Sequence, residues 1–133
     1  MPSLLADTHI VVRWLFGGRR LSREQARVLD VVTNRGETIA ISAMSLLEMA
    51  ALHTAGKLEL DISLRQAFAM LQENPSAAIL PITYEIAEEV AALGDNLRDP
   101  ADRTIVATAR VHRLRLVTSD VRIIESGLVP IID

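Results

Sequence analysis

Short apolar runs alternate with segments of helical period along the chain. Residues 3–6 (SLLA), 38–42 (TIAIS), 77–82 (AAILPI), 114–118 (LRLVT) and 128–132 (LVPII) read as five strands. They are nearly continuous in apolar residues, as strands buried on both faces are. Pro81 and Pro130 mark the third and fifth as edge strands, because proline cannot donate to a ladder.

Helical segments fill the gaps. Residues 9–16 (HIVVRWLF) predict a helix stopped at Gly17-Gly18. Ser22 with Gln25 forms a capping box ahead of Ala26, Leu29 and Val32 on one face, and Gly36 ends that helix. A helix over 43–55 runs to Gly56. Ser63 and Gln66 open another, through about Gln72 and closed by Asn74-Pro75. Thr83 caps a helix to about Leu93, and Pro100 starts one to about His112. Strands that alternate with helices predict an α/β fold, with helices on both faces of a five-strand, mainly parallel sheet.

Composition narrows the class. A chain of 133 residues, half of them hydrophobic, reads as one domain over 1–133 with a sizeable core. No apolar run approaches the roughly 20 residues of a membrane span, so no membrane role is expected. Cysteine is absent, which removes disulfides, thiolate metal sites and cysteine nucleophiles and fits a cytoplasmic protein. The net charge of −3 gives no overall attraction to nucleic acid. Thirteen of the fourteen basic residues are arginine. Arginine suits phosphate binding, but abundant alanine beside it favours a composition bias as the cause.

Candidate chemistry lies in the carboxylates. Sites in open parallel sheets form outside the carboxyl ends of the strands. Asp7 follows the first strand, Asp120 follows the fourth, and Glu48 lies two turns into the helix after the second. Asp102 joins them if the connection from Leu93 to Asp99 carries the chain back across the domain. Each has an ordinary alternative. Asp7 can cap the first helix, Asp99 can cap the sixth ahead of Pro100, and Asp102 can sit near the positive helix end. "TSD" (118–120) can be a turn, and Glu48 can be an exposed or paired side chain. Their convergence on one sheet edge is what favours chemistry. Clustered carboxylates without His or Cys call for a hard cation, Mg²⁺ or Mn²⁺, which grips phosphate oxygens and activates water. His53 and His112 fall at helix ends, and His9 stands near Asp7 as a supporting candidate.

Four stretches, in this order and spacing, resemble the PIN-domain ribonucleases: LLADTHIVVRWL, ISAMSLLEMAAL, LRDPADRTIVATARVHRLRLVTSD and the closing apolar strand. The VapC toxins of toxin–antitoxin pairs are the nearest branch. The resemblance covers about Ser3 to Asp133 and implies a three-layer α/β/α fold. It also implies a Mg²⁺- or Mn²⁺-dependent endoribonuclease acting on RNA, usually a homodimer, inhibited by a small cognate VapB-like antitoxin. By position, Asp7, Glu48, Asp102 and Asp120 match the family's acidic quartet, both catalytic and metal-holding. Thr118 matches a hydroxyl residue two before the last aspartate. Asp99 matches an acidic position found in one branch only, so it is expected mainly to cap, with a secondary role at the metal. The second motif lacks a tryptophan often seen there.

Arg98 and Arg103 are expected to pair with Asp99 rather than with substrate. An inhibiting partner should bring Arg or Lys into the acids, with Trp14, Leu15 and Phe16 as candidate docking surface. A receiver domain would need a lysine after a late strand, and the one lysine is Lys57. A dehalogenase-like phosphatase would need an aspartate at His9. The alternative that remains is a non-catalytic PIN-like module binding RNA or protein.

Overall fold

The computed structural model describes residues 2–133. It begins β1 (Leu4–Ala6), α1 (Thr8–Phe16), α2 (Arg23–Asn34), β2 (Ile39–Ser42), α3 (Ala43–Thr54) and α4 (Leu64–Glu73). It continues β3 (Ala77–Leu80), α5 (Tyr84–Ala92), α6 (Pro100–His112), β4 (Arg115–Val117), α7 (Val121–Ser126) and β5 (Ile131–Ile132). The strands form one sheet in the order β3-β2-β1-β4-β5, and each pairing is parallel. The two strands next to a proline, β3 and β5, are its two edges.

Strand alternation divides the core between two faces. Leu4, Ala6, Ile39, Ile41 and Val117 pack with Ile10 and Val11 of α1, Val28, Leu29 and Val32 of α2, and Leu71 of α4. Leu5, Ala40 and Leu116 point the other way. They pack with Ile86 of α5, Ile105, Val106 and Ala109 of α6, and Ile123 of α7. The result is the expected three-layer α/β/α sandwich. Trp14 and Leu15 are half-buried against the first cluster, so Trp14 contributes to the core.

Strand order explains the position of the site. From β1 the chain moves outward through β2 to β3, then returns to add β4 and β5 on the other side of β1. The order reverses between β1 and β4, where open α/β sheets leave a crevice at their carboxyl ends. Asp7 follows β1 and Asp120 closely follows β4, so the two flank it.

Two local features differ from the sequence expectation. Residues 121–126 form α7, a helix to which the sequence pattern assigned no element; six residues are too few to display a helical period. The strands at 77–82 and 128–132 are shorter than expected: β3 ends before Pro81 and β5 begins after Pro130, whose carbonyl still accepts the Leu116 amide at 2.9 Å. Both capping boxes, Ser22 with Gln25 and Ser63 with Gln66, form as expected.

Candidate metal centre and family membership

Three of the candidate acids begin helices. Asp7 caps α1, accepting the Thr8 amide at 2.8 Å. Asp99 caps α6, accepting the Asp102 amide at 2.9 Å. Asp120 caps α7, accepting the Arg122 amide at 2.9 Å. The fourth neighbouring helix, α3, is capped by Ser42 and carries Glu48. Helix starts present unpaired N–H groups and positive partial charge. Capping and clustering are therefore one arrangement, in which several helix starts help the fold tolerate nearby anions.

The structure brings Glu48, Asp99 and Asp102 closest, with one carboxylate oxygen from each lying within 4.8 Å of the others. Asp102 is 7 % exposed, and its Oδ2 has no hydrogen-bond partner among the described residues. Burial, then the charges of Asp99, Asp120, Asp7 and Glu48, push its carboxyl up to about 7. Glu48 is half-buried and also raised, by burial first, against the lowering effect of the Thr8 hydroxyl. That hydroxyl lies 2.6 Å from Glu48 Oε1 and 2.9 Å from Ser45 Oγ. Ser45 is thus a buried neighbour of Glu48.

Asp7 and Asp120 lie outside that tight group of three but are linked to each other. The buried Thr118 hydroxyl donates to Asp7 Oδ2 at 2.7 Å and accepts the Asp120 amide at 3.1 Å. Burial pushes the Asp120 carboxyl up, but bonds from the Arg122 side chain and backbone outweigh it, and the net direction is down. His9 Nδ1 lies 3.4 Å from Asp7 Oδ2, while its Nε2 accepts the Ser119 amide at 2.9 Å. This pattern places the ring proton on Nδ1. Buried Gln25 donates to Ser119 Oγ at 2.9 Å, so α1 and α2 both anchor the turn before Asp120.

Arg103 corrects an expectation. Its guanidinium donates to the carbonyls of Gly94 at 2.7 Å, Leu97 at 2.5 Å and Val90 at 2.6 Å, rather than pairing with Asp99. It closes the end of α5 and fixes the connection that delivers Asp99 and Asp102. Arg98 likewise makes no ion pair with Asp99 among the described residues and is exposed. It lines a cavity of about 280 Å³ with Asp95, Asn96, Leu97, Asp99, Asp102 and Arg122. Arg122 is the residue that sequence reasoning missed. Its Nη2 lies 3.2 Å from Asp120 Oδ2 and 3.8 Å from Asp102 Oδ2.

An all-oxygen donor set with a buried, unpartnered carboxylate oxygen fits a hard divalent cation. Residues 4–126 match the family model for the PIN domain. The chain belongs to the PIN-domain family. Within it the chain is VapC-like, of the type II toxin–antitoxin branch. It is 32 % identical over 124 residues to ribonuclease VapC22 of Mycobacterium tuberculosis, covering 92 % of this chain and 91 % of that one. The PIN domain also superposes on a chain of a toxin–antitoxin complex from Klebsiella pneumoniae. The TM-score is 0.67 and the identity 26 %, covering 98 % and 97 % of the two chains. A chain of FitAcB from Neisseria gonorrhoeae gives a TM-score of 0.70 at 21 % identity, covering 98 % and 96 %, a likeness of fold.

Proposed function

We propose that this PIN domain is a metal-dependent endoribonuclease and the toxin of a toxin–antitoxin pair. The observation that carries the reading is the convergence of Glu48, Asp99 and Asp102 beside the unpartnered Asp102 Oδ2. The matches to a curated ribonuclease and to a toxin–antitoxin complex support it.

Asp7, Glu48, Asp102 and Asp120 hold Mg²⁺ or Mn²⁺ in this reading, with Asp99 and Thr118 in support. Asp102 offers Oδ2 and Glu48 offers the oxygen not taken by Thr8, while Asp99 caps α6 and keeps its carboxylate beside them. The ion would supply a water of lowered pKa and offset charge developing on the phosphate. The chain's own part is to fix geometry. Thr118 and His9 orient Asp7, while Ser119 and Gln25 hold the turn that carries Asp120.

The substrate is RNA and the partner a small antitoxin. An Arg or Lys of that partner enters the carboxylates in place of the ion, and neutralising it restores cleavage more than it weakens the complex. Exposed Leu47, Met70, Ile79, Ile82, Tyr84 and Val121 leave apolar surface for a homodimer or partner contact. Among the described residues no helix is long and apolar enough to cross a membrane.

The test is cleavage of purified tRNA and ribosomal RNA with Mg²⁺, with Mn²⁺ and with EDTA, beside an Asp102→Asn control. Cleavage that needs metal and Asp102 is expected. RNA binding without cleavage under every condition would instead favour a non-catalytic module.

A further inference from the structure

Arg122 stands where helix energetics do not favour it. It lies in the first turn of α7, the positive end of a helix, where a cation is disfavoured. Its guanidinium nevertheless turns back over the acids. Nε lies 3.4 Å from Asp120 Oδ1, Nη2 lies 3.2 Å from Asp120 Oδ2, and the same Nη2 lies 3.8 Å from Asp102 Oδ2. The last contact is too long for a hydrogen bond, so Asp102 Oδ2 is attracted by the guanidinium charge without a hydrogen bond from it. Arg103 is occupied by the carbonyls of the α5–α6 connection, and Arg98 forms no ion pair among the described residues. Arg122 is therefore the arginine that bridges the acids of this site.

Three features make that guanidinium displaceable. Its side chain is 73 % exposed, so little packing holds it. It forms part of the wall of the cavity of about 280 Å³ shared with Asp95, Asn96 and Arg98, which gives it room to move. Asp120 does not depend on it for orientation. The backbone amide of Arg122 already holds Asp120 Oδ1 at 2.9 Å, and Thr118 holds the Asp120 amide.

We propose that Arg122 is a resident counter-ion of the carboxylate site, and that a divalent cation must displace its guanidinium to bind. This rests on the metal-dependent reading above and extends it. Arg122 stabilises the metal-free site and raises the metal concentration needed to fill it. The same side chain that spares the fold from four or five clustered acids also competes with the ion. Removing its charge strengthens cation binding twice over: it ends the competition, and it leaves the acids more repulsive until metal arrives.

Titration of the full-length purified chain with Mn²⁺, followed by electron paramagnetic resonance or calorimetry, tests this without any cleavage assay. Wild type, Arg122→Gln, Arg122→Lys and Asp102→Asn are compared. Asp102→Asn should weaken Mn²⁺ binding, which checks the metal reading separately. Arg122→Gln should tighten it by about two- to fivefold, the scale of an exposed ion pair. Arg122→Lys, which keeps the charge, should stay near wild type. Melts in EDTA should place Arg122→Gln below wild type, and saturating Mn²⁺ should narrow the gap. Unchanged binding by Arg122→Gln overturns the proposal and leaves Arg122 a bystander. Weakened binding overturns it in favour of a role in orienting Asp120. If wild type binds no Mn²⁺, both the metal reading and the proposal fall. If wild type binds and Asp102→Asn binds equally, the reading of Asp102 fails, while the Arg122 comparison still decides its own question.

Discussion

Thr118 donates its hydroxyl proton to Asp7 Oδ2 at 2.7 Å, and both side chains are buried. The same hydroxyl accepts the amide of Asp120. One side chain thus joins the carboxyl ends of β1 and β4 at the point where the strand order reverses.

Thr118→Val keeps the shape of the side chain and removes the hydroxyl. It leaves a buried carboxylate oxygen and an amide each short of a partner, at a cost of about 1–3 kcal/mol per group. A denaturant melt should show that loss, and RNA cleavage should fall with it. Thr118→Ser restores the hydroxyl and should recover most of both. Equal behaviour of Val and Ser would show that the hydroxyl does not set the geometry.

Asp99 and Asp102 can be separated by paired carboxamides. Loss of outer-shell partners costs metal sites about 10–100-fold, so loss of a ligand should exceed that range. Asp102→Asn or Asp7→Asn should reduce metal-dependent cleavage by more than about 100-fold while circular dichroism stays native. Asp99→Asn caps α6 nearly as well as Asp and should cost less, within about 10–100-fold. Losses from Asp99→Asn as large as from Asp102→Asn would make Asp99 a full ligand.

Much of this arrangement was legible beforehand, for physical reasons that differ between residues. Helix starts were readable because Ser22 and Ser63 need only a glutamine three residues on, a local relation. The edges were readable because Pro81 and Pro130 lack an amide proton. The end of α6 carried no glycine to announce it, since Arg113 adopts the left-handed conformation itself at φ 56°. Asp99 was readable as a cap. Its nearness to Glu48, 51 residues earlier in the chain, is a tertiary fact with no local signature. The same holds for Arg103 and Arg122, whose long side chains could reach several partners and whose choice depends on the packed fold.

His9 tests whether the turn before Asp120 is held from α1. Its Nε2 accepts the Ser119 amide while Nδ1 faces Asp7. His9→Phe keeps the ring and removes both nitrogens. Amide hydrogen exchange at Ser119 and Asp120 should rise, and cleavage should fall about tenfold, at the low end of the outer-shell range. The global melt should move little, because His9 lies at the rim of the core and its side chain is 31 % exposed. Unchanged exchange at both amides would mean that Gln25 alone secures the turn.

The raised carboxyl of Asp102 ties stability to pH. Its folded-state value of about 7 lies well above an ordinary aspartate near 3.8. Between those values the folded protein holds a proton that the unfolded chain has lost. The contribution is therefore complete below the unfolded value and disappears as pH rises through about 7. At about 1.4 kcal/mol per pKa unit it is at most about 4 kcal/mol. Glu48, also raised, adds in the same direction. In EDTA, then, wild type should melt at a higher temperature at pH 5 than at pH 8. Asp102→Asn has no proton to lose there, so its melting temperature should vary less with pH and exceed wild type at pH 8. Millimolar Mg²⁺ or Mn²⁺ should stabilise wild type at pH 8 by binding the folded state, and the variant less. A variant that melts below wild type at pH 8 in EDTA would make Asp102 chiefly a favourable charge at the start of α6. Equal shifts on adding metal would place the ion elsewhere than at Asp102.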